Sequence, residues 1–231
     1  MPQLDMISVH VPKCAGTSFF LALAAAYGRD AILRDYGDRP LDPAAPMNLD
    51  PEGWLAACDA RGADGLAGMR VVHGHFHPHK YRTLPARLRI TFLRDPVERL
   101  ISHYAFWRHM PASGHALHAY VLEQNLTLDA FARLPFMRHF FTGVFFRDVD
   151  LDGFDFVGFQ DRARADVERL SKLAGVPLAL PSSNANPEPS YRQMVDELRA
   201  EDGRLDRLRD LLADDIAFYE KARARADRAF S

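Results

Sequence analysis

Lys13 is one of only four lysines among 29 basic residues, and it stands in the segment PKCAGTS, residues 12–18. A lysine, a glycine and two adjacent hydroxyls between a strand and a helix suit a phosphate. Backbone N–H groups at the helix start point outward at its positive end, where an anion is stabilised. Lys13 adds a point charge, and Thr17 and Ser18 add hydroxyl donors. The pattern is not that of a nucleotide triphosphatase loop, G-x-x-x-x-G-K-[ST], because Lys13 precedes the single Gly16. Cys14 beside a helix start suggests a thiol nucleophile. A phosphatase loop, however, needs an arginine six residues on, and Phe20 stands there. The plain alternative is an ordinary strand–turn–helix with a capping threonine.

The second segment is RDPVERLIS, residues 94–102. Arg94 at the carboxyl end of a strand can take a phosphate bidentately, and Ser102 can reach the same anion from the helix that follows. In open parallel sheets ligands collect at those strand ends. Against this, Arg94 can simply pair with a neighbouring carboxylate. A third segment, MRVVHGHFHPH, places histidines at 73, 75, 77 and 79. On a strand these would share a face, but Pro78 breaks the strand, and no cysteine or carboxylate cluster converges there to suggest a metal. A histidine near neutral pKa can serve as a general base.

These residues need a scaffold of alternating strands and helices. Apolar, β-branched runs predict strands over 4–11, 69–76, 88–93 and 154–159. Helices are expected over 17–27, 52–60 and 162–174, and from 191 onward. A helix over 96–109 opens with Asp95 as cap and Pro96 at its first position. Prolines make 35–53 a surface loop, 177–189 reads as a second loop, and 115–147 holds aromatic-rich helical segments. The pattern implies an α/β fold around a central parallel β-sheet flanked by helices, as a single domain over 1–231.

Composition narrows the classes. At 231 residues, 48% hydrophobic and net charge −2, the chain reads as globular and not as an indiscriminate nucleic-acid binder. No apolar run approaches the ~20 residues of a membrane-spanning helix, and no signal peptide is evident at the start. Two cysteines make no disulfide framework, so a cytoplasmic location is the simplest expectation.

Taken together, PKCAGTS and RDPVERLISHY about 80 residues later resemble the sulfotransferases that use 3′-phosphoadenosine 5′-phosphosulfate (PAPS). The HGH segment is similar to that of the glycan-modifying branch, including heparan sulfate 2-O-sulfotransferases. FDFVGFQDR and LLADDIAFYEKA resemble that branch's later strand and final helix, with Asp161, Asp215 and Tyr219 at matching positions. The Arg- and Ala-rich composition suggests a bacterial member. The resemblance implies a P-loop-like fold and in-line sulfuryl transfer to a hydroxyl of a glycan, glycolipid or small metabolite, with PAP as product and no metal. Lys13 would stabilise the departing phosphate, and Ala15, Gly16, Thr17 and Ser18 would hold the 5′-phosphate. Arg94 and Ser102 would hold the 3′-phosphate, and His75 would be the base, with His73 supporting it or replacing it. Arg192, in the segment NANPEPSYR, is a candidate for closing the nucleotide site, as are Ser190 and Tyr191. The Arg/Ala-rich stretch 199–228 reads as a solvated helix face. Two rivals share the architecture: a small-molecule kinase needing Mg²⁺ and a triphosphate, and a nucleotide-binding relative without catalysis.

Overall fold

Five strands form the centre of the protein in a computed structural model that describes residues 4–112, 114–181 and 189–229. They are β1 (Leu4–Val9), β2 (Ile32–Asp35), β3 (Val71–Gly74), β4 (Ala86–Leu93) and β5 (Phe156–Phe159). All pair in parallel, in the order β2-β3-β1-β4-β5. The near-continuous apolar runs of β1 and β5 are what a parallel sheet covered on both faces demands. β2 is the addition to the expected strands: Ile32 is buried, but Arg34 is exposed, as befits a sheet edge.

Helix α1 (Gly16–Tyr27) follows β1, and α2 (Pro46–Leu49) and α3 (Pro51–Arg61) follow β2. α4 (Pro96–His109) follows β4, its first turn capped by the Asp95 carboxylate, which accepts from Glu98 N at 3.0 Å. Short helices α5 (Ala116–Glu123), α6 (Leu128–Ala132) and α7 (Pro135–Arg138) lead into a π-helical turn over Phe140–Phe145. After β5 comes α8 (Ala163–Ala174), and then α9 (Pro189–Ala200), α10 (Arg204–Leu211) and α11 (Ala213–Ala229). Residues 182–188 of the expected loop lie outside the described residues. The final helix expected from 191 is broken into three, with Gly203 in the left-handed conformation between two of them.

Alternation along the strands divides the core in two. Met6, Val71, Ile90 and Phe156 pack beneath Phe19 and Leu23 of α1 and Val167 and Leu170 of α8. Ile7, Val9, Val72, Leu93 and Val157 pack on the other face, against Leu100 and Ile101 of α4, the phenylalanines of the π turn and Ala222 of α11. This is the parallel α/β arrangement expected from the sequence. No helix among the described residues is long and apolar enough to cross a membrane.

Candidate active site

The strand order puts a topological switch beside β1. The chain leaves β1 toward β3 and β2, then returns to build β4 and β5 on its other side. A crevice opens outside the carboxyl ends of β1 and β4, where open sheets take ligands. PKCAGTS leaves one of these ends and RDPVERLIS the other.

The loop after β1 is contorted. Lys13 and Ala15 hold φ of 68° and 69°, a left-handed conformation that costs a non-glycine residue about 1–2 kcal/mol. Ala15 has no side chain able to cap α1, and it makes no side-chain capping hydrogen bond. Gly16 is required for a different reason. A Cβ there would lie 1.8 Å from the His10 ring, so any side chain would drive ring and helix apart. Cys14 is buried beneath the loop, and burial pushes its thiol up to about 12, which removes it as a nucleophile at neutral pH.

Arg94 ties the two motifs together: one guanidinium nitrogen donates to the Lys13 carbonyl at 3.5 Å and another to Glu98 at 3.4 Å. Its buried Nε has no protein partner among the described residues. Glu98 also accepts from Arg199 of α9. Ser102, one turn further along α4, donates to the Tyr191 hydroxyl at 2.9 Å, and Tyr191 donates in turn to the Ser102 carbonyl at 3.2 Å. Helix α9 is thus laid across α4 directly over Arg94 and Ser102.

The result is a cavity of about 500 Å³, lined by Lys13, Ala15, Gly16, Thr17, Ser18, Arg94, Ser102, Tyr191 and Arg192 among the expected residues. His10, Gln160 and Arg199 line it as well. Among the described residues four cations, Lys13, Arg94, Arg192 and Arg199, line this space with one carboxylate, Asp196, which lies 3.6 Å from Arg199, so the cavity favours anions. The Lys13 amine rests over the Phe106 ring at 4.1 Å, and burial, with Arg94 beside it, lowers its pKa to about 8.

The expected bases do not line this cavity. β3 ends at Gly74, so His73 lies on a strand while His75, His77 and His79 follow it. His73 is buried, with Nδ1 2.9 Å from Ser8 Oγ, and burial carries its pKa to about 3. His75 stands next to His10, ring centroids 4.4 Å apart, and its buried Nε2 has no protein partner among the described residues. Burial lowers its pKa to about 4, below the near-neutral value expected, so it stays uncharged at physiological pH. His77 turns away to the Arg147 carbonyl, 2.9 Å from Nε2.

The C-terminal segments also converge. Asp161, after β5, accepts from Arg223 of α11 at 2.8 Å, and Arg223 donates to the Tyr219 hydroxyl at 2.7 Å. Asp215 is buried and accepts from the backbone N–H of Phe141 and Thr142 and from the Thr142 hydroxyl, all within 2.9 Å.

Residues 1–221 match the family described as the sulfotransferase family. The chain belongs to that family. No curated protein matches it. Among solved structures, the mouse sulfotransferase SULT7A1 complexed with PAP is 11% identical, with TM-score 0.39 over 87% of this chain and 68% of that one. A sulfotransferase from Alicyclobacillus acidocaldarius is 17% identical, with TM-score 0.37 over 92% and 97%.

In this sulfotransferase the sequence reading missed His10 and Arg199. His10 looked like a strand residue, although its place three residues before the lysine of the loop was a usable signal. The alternating signs along 199–228 suggest a solvated face for Arg199, and the structure corrects this. With Glu98 it joins α9 to α4 and lines the anion cavity.

Proposed function

We propose that this protein transfers a sulfuryl group from PAPS to a hydroxyl of an acceptor, a glycan, glycolipid or small metabolite. One observation carries the reading: the two strand-to-helix junctions open on a single cationic cavity, with Lys13 and the start of α1 beside Arg94 and Ser102. A nucleotide with an anionic group on each side of its ribose matches that distribution of charge. In this reading the amides and hydroxyls of Thr17 and Ser18, with Ala15 and Gly16, hold the 5′-phosphate. Lys13 offsets charge growing on the bridging oxygen as the sulfur–oxygen bond breaks. Arg94 and Ser102 hold the 3′-phosphate, with Arg192 closing over the nucleotide. His75 accepts the proton of the acceptor hydroxyl through its unpartnered Nε2, and His73 supports it from β3. The HGH segment favours a carbohydrate acceptor. Both cysteines are free and buried, which fits a reducing, cytoplasmic setting.

Calorimetric titration tests the nucleotide assignment. PAP is expected to bind about 10²-fold more tightly than 5′-AMP, from two charge-assisted hydrogen bonds of about 1.5 kcal/mol or more each. Arg94→Ala should bring the two within about tenfold of each other. Equal affinity of the wild-type protein for PAP and AMP would sink the assignment.

A pH dependence follows from Lys13. A bound anion favours the protonated amine, so a site whose lysine titrates at about 8 takes up a proton on binding. PAP affinity should be flat below about pH 7 and fall by up to about tenfold per unit above pH 8. Titration at pH 8 in buffers of different ionisation enthalpy reads the proton directly. Zero uptake would mean that Lys13 does not face the anion.

A further inference from the structure

We propose that His10 is a catalytic residue that donates a hydrogen bond from Nε2–H to the sulfuryl group in flight. The proposal rests on the reading of the cavity as a phosphosulfate site. Among the described residues His10 is the histidine lining that cavity. Its ring edge, Cδ2 and Nε2, lies so near Gly16 that a Cβ there would be 1.8 and 1.9 Å from those atoms. On its other side His10 meets His75 at 4.4 Å between centroids and stacks on His73 at 5.0 Å. The ring therefore stands between the helix start that cradles the leaving phosphate and the histidine that takes the acceptor proton. The sulfuryl group has to cross that interval.

The hydrogen bond behind the ring assigns its tautomer. Nδ1 lies 3.0 Å from the Tyr36 hydroxyl. A phenol is a stronger hydrogen-bond donor than a neutral imidazole N–H, and a bare imidazole nitrogen is a stronger acceptor than a phenol oxygen. Tyr36 therefore gives its proton to His10 Nδ1, which leaves the ring proton on Nε2. Burial raises the phenol pKa and so keeps that proton in place. Burial also holds His10 uncharged, aided by His75 and His73 beside it. A neutral imidazole in a cationic site donates without adding charge, and its packing fixes its direction before substrate arrives.

The step balances without a further reactant. The acceptor oxygen forms a bond to sulfur, and the bond from sulfur to the bridging oxygen breaks with its electron pair passing to the 5′-phosphate. The acceptor proton moves to His75. The Nε2 proton of His10 stays on His10 throughout.

Steady-state kinetics and nitrogen NMR test this. His10→Ala should lower kcat about 10²-fold while PAP, which lacks the sulfuryl group, binds within about threefold of wild type. His10→Gln keeps an N–H near the Nε2 position and should recover about tenfold of the loss. In ¹⁵N-histidine-labelled protein saturated with PAP, His10 should show a bare Nδ1 and a protonated Nε2, and Tyr36→Phe should abolish that preference. Retention of kcat in His10→Ala, equal loss in Ala and Gln variants, or a protonated Nδ1 would each overturn the proposal. Wild-type protein that binds PAP but transfers nothing from PAPS would overturn the functional reading instead. The tautomer measurement would then still decide whether Tyr36 orients His10.

Discussion

Lys13→Ala is expected to lower kcat about 10³-fold while leaving the protein folded. A full charge about 4 Å from a developing negative charge contributes about 4 kcal/mol at the effective dielectric of a partly buried site, and that is about 10³ in rate. The fold loses little, because the amine rests on the Phe106 ring at 4.1 Å, a contact of about 1 kcal/mol. Lys13→Arg should not restore the rate. The guanidinium is a planar fork with its charge spread out, and it cannot place a compact charge where the ammonium sits. Single-turnover measurements at saturating donor separate this effect from weakened binding. A loss of less than about tenfold would show that another group carries the leaving-group charge.

Asp215→Ala should destabilise the protein by about 3–5 kcal/mol, a large share of the 5–15 kcal/mol of an ordinary domain. Its carboxylate is buried and holds the first amides of the π-helical turn, Phe141 N at 2.8 Å and Thr142 N at 2.9 Å, together with the Thr142 hydroxyl. Truncation strands three donors among phenylalanine rings. It also removes the negative charge that partly balances Arg99, a fully buried cation lowered to about 10 by desolvation. Urea unfolding should show a lower midpoint at unchanged slope, and the melting temperature should fall by about 10 °C. A loss under about 1 kcal/mol would mean that water replaces the carboxylate in the turn.

The anion cavity was legible because its chemistry is local. Lys13 to Ser18 and Arg94 to Ser102 each sit within nine residues on one strand-to-helix junction, and spacing along the chain fixes their placement. Strands β1 and β5 declared themselves by mostly apolar runs, with Asp5 and Ser8 as the polar residues of β1. β2 did not, since ILRD is four residues long and carries two charges at the sheet edge. Histidine spacing misled in part. Alternation suggests one shared face, but β3 stops at Gly74, and the chain turns before His77. Contacts between distant segments left no trace in the sequence. Nothing in Arg199 distinguishes it from its neighbours in an Arg-rich helix, and only Glu98, 101 residues earlier, gives it a role. His10 carries a local signal in its place three residues before Lys13, but its orientation comes from Tyr36, 26 residues away, and from a glycine that leaves room for its ring.

The strand order has a consequence for how the site comes into being. β1 is the first strand made and the middle strand of the sheet, yet both its neighbours arrive much later, as residues 71–74 and 86–91. At about 5–20 residues per second, synthesis keeps this apolar segment waiting for seconds with both hydrogen-bonding edges bare. Such edges invite pairing with other chains, and sheets closed by distant segments fold slowly. Lys13 can be translated early, but its surroundings are unfinished until β4 carries Arg94 alongside. The nascent protein passes through this aggregation-prone interval before the cavity beside Lys13 has formed, and a ligand of that cavity cannot rescue it there.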